Sequence, residues 1–254
     1  MKDWAGTGRA YADSYASLCV GTVSALRESL GDPAGRRLLD VGSGTGLLAS
    51  ALTDAGWDVT GCEPEPTMRT VSQHDHPALT VRDGALPHLP FADGSFDAVV
   101  ANFVLNHVAD PRASAAELAR VSSDRLAATI WTTSPTWLWR EVCERAGLTP
   151  EQGERLSPEK DFERTVGGFE AMLTEAGWHV SGAIDLTWTW HADPTALWIS
   201  AEGGVGGAGL FFRALAPAGR VSFRRAFDAV CAERSVDGLV PLLHSAAVAV
   251  GSPR

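Results

Sequence analysis

The chain has 254 residues and 45% apolar content, enough for one α/β domain with an added cap and a full core. Its 21 basic against 31 acidic residues leave a formal charge of −10 with no Lys/Arg run, which argues against a nucleic-acid substrate, since phosphates need clustered cations. Cys19, Cys62, Cys143 and Cys231 show no C-x-x-C or other metal spacing, so reduced thiols in a cytoplasm are expected and no metal is. No signal-peptide pattern and no apolar stretch of about 18 residues occurs, so no membrane partner is expected.

Ala12 to Leu30 reads as one helix, with Tyr15, Leu18, Cys19, Val23 and Leu26 at helical spacing and Gly31-Asp32-Pro33 closing it. Tyr11 and Tyr15, four residues apart, would share a face of it. Then an apolar strand, Leu38 to Val41, runs into Gly42-Ser43-Gly44-Thr45-Gly46 and turns helical. Glycines there let backbone N–H groups approach a ligand and tolerate positive φ. The spacing rejects a dinucleotide fingerprint, because Leu47 stands where a glycine or alanine is needed, and a P-loop, because no Lys-Ser/Thr follows.

A short strand, Trp57 to Cys62, leads to Glu63-Pro64-Glu65-Pro66-Thr67-Met68, which puts a carboxylate at the C-terminal end of that strand. Val81 to Asp97 holds a loop with Asp83, Gly84, Ala85 and Leu86. The continuous apolar run Asp97 to Ala101 fits a strand buried on both faces, ending at Asn102, Asn106 and His107. A helix from Pro111 to Val121, the turn Ser122-Ser123-Asp124 and a fifth strand, Leu126 to Trp131, follow. Strands and helices thus alternate over 37–131, which predicts βαβ units and a parallel sheet. Beyond, Pro135 to Ala146 and Asp161 to Ala176 read as helices and His179 to His191 as extended. Pro194 to Arg234 is mostly helical, interrupted by glycines between 203 and 209 that serve as a hinge or as a flexible connection. Val240 to Val250 reads as a closing strand.

The run Asp40-x-Gly42-x-Gly44-x-Gly46 with Glu63 resembles the motifs of the class I S-adenosylmethionine-dependent methyltransferases, and over roughly 35–132 the chain is most similar to UbiE/COQ5-like small-molecule methyltransferases. The resemblance implies a Rossmann-like, doubly wound seven-stranded sheet, mostly parallel with the last strand antiparallel, and helical cap elements. It implies a single domain over 1–254: a helical lid at 1–34, a cofactor-binding core at 35–132 and a cap insertion at 193–238. S-adenosylmethionine would be the cofactor and S-adenosylhomocysteine the product. Asp40, Gly42, Ser43, Gly44 and Gly46 would hold it, with Glu63 and Pro64 at the ribose. Met68 would pack against adenine or belong to the core. Asp83, Gly84, Ala85 and Leu86 would form the adenine loop, although the family's usual acid position is held by Ala85. Tyr11 and Tyr15 would close over the cofactor or pack in the core, and Asn102 would border its methionine end. A base for the acceptor would be His107 or His191, unless His107 only orders its loop.

Trp131, Trp137, Trp139, Trp188, Trp190 and Trp198 fall in elements flanking the expected acceptor pocket, where indoles would suit a flat or cationic small molecule; packing in the core is the other reading. The acceptor atom, O, N or C, stays open. A phenol or alcohol needs a base, and a neutral amine does not. The alternative is a methyltransferase fold that binds its cofactor without transferring methyl, while a dinucleotide oxidoreductase is disfavoured by Leu47. Alanine-rich, lysine-poor usage points to a GC-rich bacterial genome and a secondary-metabolite acceptor.

Overall fold

A seven-stranded sheet of order β3-β2-β1-β4-β5-β7-β6 organises the chain. The strands are β1 (Arg37–Val41), β2 (Asp58–Cys62), β3 (Thr80–Arg82), β4 (Phe96–Asn102), β5 (Ser122–Thr133), β6 (Trp178–Ala192) and β7 (Val240–Pro253). This computed structural model describes residues 4–150 and 156–254, so the first three residues of the expected lid lie outside the described ones. β1 to β5 pair in parallel, and β7 runs antiparallel to β5 and β6. This is the Rossmann-like doubly wound sheet the sequence pointed to. Strand order reverses between β1 and β4, which opens a crevice above their carboxyl ends, where open α/β sheets take ligands.

Alternating residues of the central strands feed two cores. Leu39, Val99 and Ala128 join one with helices α6 (Pro111–Val121) and α8 (Val166–Glu175). Leu38, Ala98, Val100 and Ala127 join the other with α3 (Val23–Leu30) and α4 (Leu47–Asp54). Both faces of the strands are therefore dry, which explains their continuous apolar runs. Several helix starts are local chemistry. Before α5 (Pro66–Asp75), α6 and α9 (Pro194–Glu202), the side chains of Glu65, Asp110 and Asp193 accept from the first turn, and proline follows each.

The single helix expected over Ala12 to Leu30 is broken. Its pieces are α1 (Gly8–Ala12), α2 (Ala16–Cys19), a 3₁₀ turn (Val20–Thr22) and α3. Hydroxyls of Ser14, Ser17 and Thr22 bond back to the carbonyls of Ala10, Ser14 and Cys19, competing with the helical ladder at each break. Tyr11 lies in α1 and Tyr15 precedes α2, so the shared helix face does not exist. Ser122, expected in a turn, already pairs with Phe96 and begins β5. The helix expected from Asp161 starts at Val166, where the Thr165 side chain accepts from Gly168 N–H.

Between β6 and β7 stand α9, α10 (Gly206–Ala214) and α11 (Pro217–Arg234). With α7 (Trp137–Ala146) and the start of β7 they enclose a third core around Leu138, Val142, Phe223, Phe227 and Leu242. No described helix is long and apolar enough to cross a membrane.

Candidate active site

β1 delivers the chain into the glycine turn at the crevice. The N–H groups of Gly42 and Ser43 donate to the Cys62 carbonyl at 2.7 and 3.2 Å, tying the turn to the end of β2. Gly42 has φ +68°, and a Cβ there would stand 2.5 Å from Val104. Gly44 has φ +55°, but the nearest atom to its would-be Cβ is Tyr11 Cε1 at 3.8 Å. That side of the turn is therefore open space roofed by Tyr11, which a branched side chain would fill. Asp40, Ser43 and Gly46 lie behind the turn, off the cavity wall.

Glu63, at the end of β2, has 7% of its surface exposed. Its Oε2 accepts from Gly44 N–H and its Oε1 from Glu65 N–H, both at 2.9 Å. Burial raises its pKa, and the two N–H groups oppose that rise. Each oxygen keeps a lone pair, so one carboxylate can still accept from a vicinal diol. Behind it, Asp40 is buried and its Oδ2 has no hydrogen-bond partner among the described residues. Burial first, then the charge of Glu63, push Asp40 up to about 8.

From this turn a cavity of about 1250 Å³ runs between the sheet and the cap. Gly42, Gly44, Glu63, Pro64 and Met68 line one end, with Gly84, Ala85 and Leu86 from the loop after β3. Tyr11 and Tyr15 roof it, and Asn102 and His107 stand at the end of β4. Asp83 is turned away: its carboxylate, 72% exposed, pairs with Arg69 at 3.0 Å. His191 is exposed on the edge strand β6, because alternation puts it on the face opposite Trp188 and Trp190. It does not reach the cavity.

Asn102 and Phe103 form the hinge between the two ends. Asn102 Oδ1 lies 2.6 Å from Thr129 Oγ1 and 3.0 Å from Thr22 Oγ1, linking β4, β5 and the N-terminal segment. Phe103 holds φ +59°, a costly conformation for an aromatic residue, and its N–H donates to Thr129 Oγ1 at 2.9 Å. The result aims its ring onto Trp131, stacked at 3.6 Å with an interplanar angle of 2°. His107 meets the ring of Trp4 edge-on, 5.5 Å between centroids. Asn106 Oδ1 accepts from Trp131 N–H at 2.8 Å, so it fixes the loop to β5.

The far end is aromatic. Trp131 and Trp139 line it with Phe211, Phe223 and Leu242. The Trp139 indole N–H donates to Tyr15 Oη at 3.0 Å, which joins cap to roof. Trp188 lies behind Trp131, and Trp190 packs beside Tyr15. Trp137 and Trp198 sit beneath Arg234 and Arg224, off the cavity. The sequence reading missed His244, which lines this end from β7. Its signal was a lone histidine in an apolar strand at the parity of Leu242.

A ligand crevice at the switch point of a doubly wound sheet, with a glycine turn and a ribose-height carboxylate, defines an enzyme that takes an adenosyl cofactor. A family model described as a methyltransferase domain matches residues 39–124. A demethylmenaquinone methyltransferase of Beutenbergia cavernae is 32% identical over 179 residues, 64% of this chain and 74% of that protein. A demethylmenaquinone methyltransferase of Renibacterium salmoninarum is 38% identical over 95 residues, 37% of this chain, and this chain spans only 40% of its length. Among solved structures, the YcgJ protein of Bacillus subtilis shares the fold at TM-score 0.57 and 17% identity, over 92% of this chain and 98% of that one. The chain belongs to the class I S-adenosylmethionine-dependent methyltransferases, in the UbiE-like group. Its cofactor is S-adenosylmethionine, and the open face at Gly44, the paired lone pairs of Glu63 and the buried Met68 beside them fit that group.

Proposed function

We propose that this enzyme methylates a flat, largely apolar aromatic small molecule. One observation carries the reading: a single cavity of about 1250 Å³ joins the glycine turn to an aromatic wall. That exceeds the roughly 300–1,000 Å³ of a one-ligand site, so cofactor and acceptor fit end to end. When bound, the cofactor supplies an electrophilic methyl on a sulfonium. Glu63 would accept from the ribose hydroxyls, Gly42 and Gly44 would admit the methionine moiety, and Met68 with Gly84 to Leu86 would flank the adenine. Tyr11 and Tyr15 would cover it, and Asn102 would hold its methionine end against β4. Asp83 takes no part in this reading.

A cationic acceptor fits less well. Phe103 and Trp131 spend one face of each ring on the other, and among the described residues lining the cavity a cation has no carboxylate beside them as partner. Glu63 and Glu65 stand at the cofactor end, and Glu144, farther along, is 68% exposed. The aromatic wall of Trp131, Trp139, Phe211 and Phe223 lies beyond residue 124, outside the family match, so the acceptor is read from the wall itself. Four free thiols among the described residues support a cytoplasmic setting. The test is a screen of S-adenosylmethionine with flat phenols, naphthols and demethylmenaquinone, the substrate named for the Beutenbergia relative, read by mass. Gain of one methyl supports the proposal. Turnover of aliphatic amines alone, or tight cofactor binding with no methylated product from any acceptor, overturns it.

A further inference from the structure

We propose that His244 is the general base for this site, and that the acceptor's nucleophile is therefore an ionisable hydroxyl on its aromatic ring. The inference rests on the aromatic-acceptor reading above. His244 is 4% exposed, yet it lines the cavity. Its Nδ1 lies 2.9 Å from the Leu242 carbonyl, which can only accept. Nδ1 therefore carries the proton, and in the neutral ring Nε2 carries a lone pair. No second hydrogen bond ties the ring among the described residues, so that lone pair is left for the cavity. Burial lowers the imidazole below its usual value, which keeps it neutral and able to accept at pH 7.

The aromatic rings that contact His244 among the described residues do not titrate. Trp131 of β5 stands 5.4 Å from its ring, and Trp188 and Trp190 of β6 stand 6.0 and 6.3 Å away. Elsewhere along the cavity Tyr11, Tyr15, Cys19 and Cys143 are held protonated by burial, Arg140 and Glu144 face each other at 3.8 Å on exposed side chains, and Glu63 and His107 stand at the cofactor end. A base at the aromatic wall is thus His244.

The step balances. A lone pair on the acceptor oxygen forms the new C–O bond to the methyl carbon, the C–S bond breaks with its electrons going to sulfur, and the O–H proton passes to Nε2. The positive charge leaves the sulfonium and reappears on the imidazolium, so the cavity holds one such cation before and after. Trp188, stacked on His244 with an interplanar angle of 25°, offers that cation an aromatic face. The charge moves to the wall without adding to the cavity's total, and the Trp188 face offsets part of what burial costs the imidazolium.

The experiment uses protein loaded with S-adenosylhomocysteine and two probes, 1-naphthol and its methyl ether. Calorimetry of the wild type should show 1-naphthol bound about tenfold tighter than the ether, the worth of one hydrogen bond. In His244→Phe that preference should fall below about twofold while S-adenosylhomocysteine affinity is unchanged. In parallel, ¹⁵N-histidine NMR of the wild type should show the Nδ1–H tautomer at pH 7, with the Nε2 resonance moving on addition of 1-naphthol. A preference that survives in His244→Phe, an Nε2–H tautomer, or a His244 charged at pH 7 overturns the proposal, and the NMR arm decides even if the variant fails to fold. If neither probe binds wild type that holds S-adenosylhomocysteine, the aromatic-acceptor reading fails instead.

Discussion

Glu63 already accepts two backbone N–H groups, from Gly44 and Glu65, so its carboxylate is held in place before any ligand arrives. A preorganised acceptor loses little entropy on binding. Removing it should therefore remove most of a charge-assisted hydrogen bond: Glu63→Ala should weaken S-adenosylhomocysteine by about 1.5–3 kcal/mol. Calorimetry on folded variant checks this, and an unchanged dissociation constant would take Glu63 out of the site. Asp40 gives a second prediction with a definite sign. Its folded pKa is about 8 against 3.8 for the free side chain. Between those values the folded state keeps a proton that the unfolded state has lost. Its contribution is thus fully present below about pH 4 and declines as pH rises toward about 8. Asp40→Asn cannot ionise, so urea unfolding at about pH 5 and about pH 8 should show a smaller loss for the variant than for the wild type. Equal losses would mean that Asp40 is not the group responsible. At this scale the sequence was legible where chemistry is local. Glu63 follows its strand directly, whereas Asp83 is captured by Arg69 from α5, a pairing the linear order does not announce. His244 was hidden for the same reason, since Trp131, Trp188 and Trp190 reach it from two other strands.

The first turn of the N-terminal segment, ahead of Tyr11, is tied to the cofactor end through α5. Gly6 N–H donates to Glu65 Oε1 at 3.2 Å, Gly8 N–H to Thr67 Oγ1 at 3.0 Å, and Arg9 pairs with Asp75 at 3.2 Å across exposed side chains. The exposed Arg9–Asp75 pair is screened by solvent and contributes little. Such a segment should open readily until a ligand fills the space beneath Tyr11. Hydrogen exchange across residues 4–20 should therefore slow when S-adenosylhomocysteine binds. Gly8 sharpens the test, because a Cβ there would stand 2.4 Å from the Thr67 carbonyl oxygen. Gly8→Ala should speed exchange in the same residues and weaken the ligand together; a variant with normal exchange and affinity would show that contact with α5 is not what closes the roof. Element boundaries were legible where proline follows an acid, as at α5, α6 and α9. The breaks before α2 and α3 were not, because apolar spacing continued through them. What divides that helix is back-bonding by hydroxyls, which favours a helix and its interruption about equally from sequence.

On the scale of the molecule, the cavity is a seam between a sheet that was readable and a cap that was not. The alternation of strand and helix over 37–131 prescribes the parallel half almost completely, and both dry faces of its strands follow from it. The cap has no such repeat. Its three inserted helices are defined by the core they share with α7, which only the folded chain assembles. A cap core separate from the two sheet cores implies that the two ends of the cavity can be perturbed separately. Phe227 is 2% exposed, and its ring stacks on Trp139 at 5.6 Å and lies 5.3 Å from Trp198. Trp139 in turn lines the cavity and donates to Tyr15. Phe227→Leu should cost about 1–2 kcal/mol of stability, since volume is lost but the site stays apolar. The loosened indole should weaken 1-naphthol several-fold, while S-adenosylhomocysteine, seated on the sheet cores, should bind within about twofold of normal. Paired titrations on the same sample check both halves. If the two affinities fall together, the cap and the sheet are one cooperative unit, and the cofactor end takes its shape from the cap.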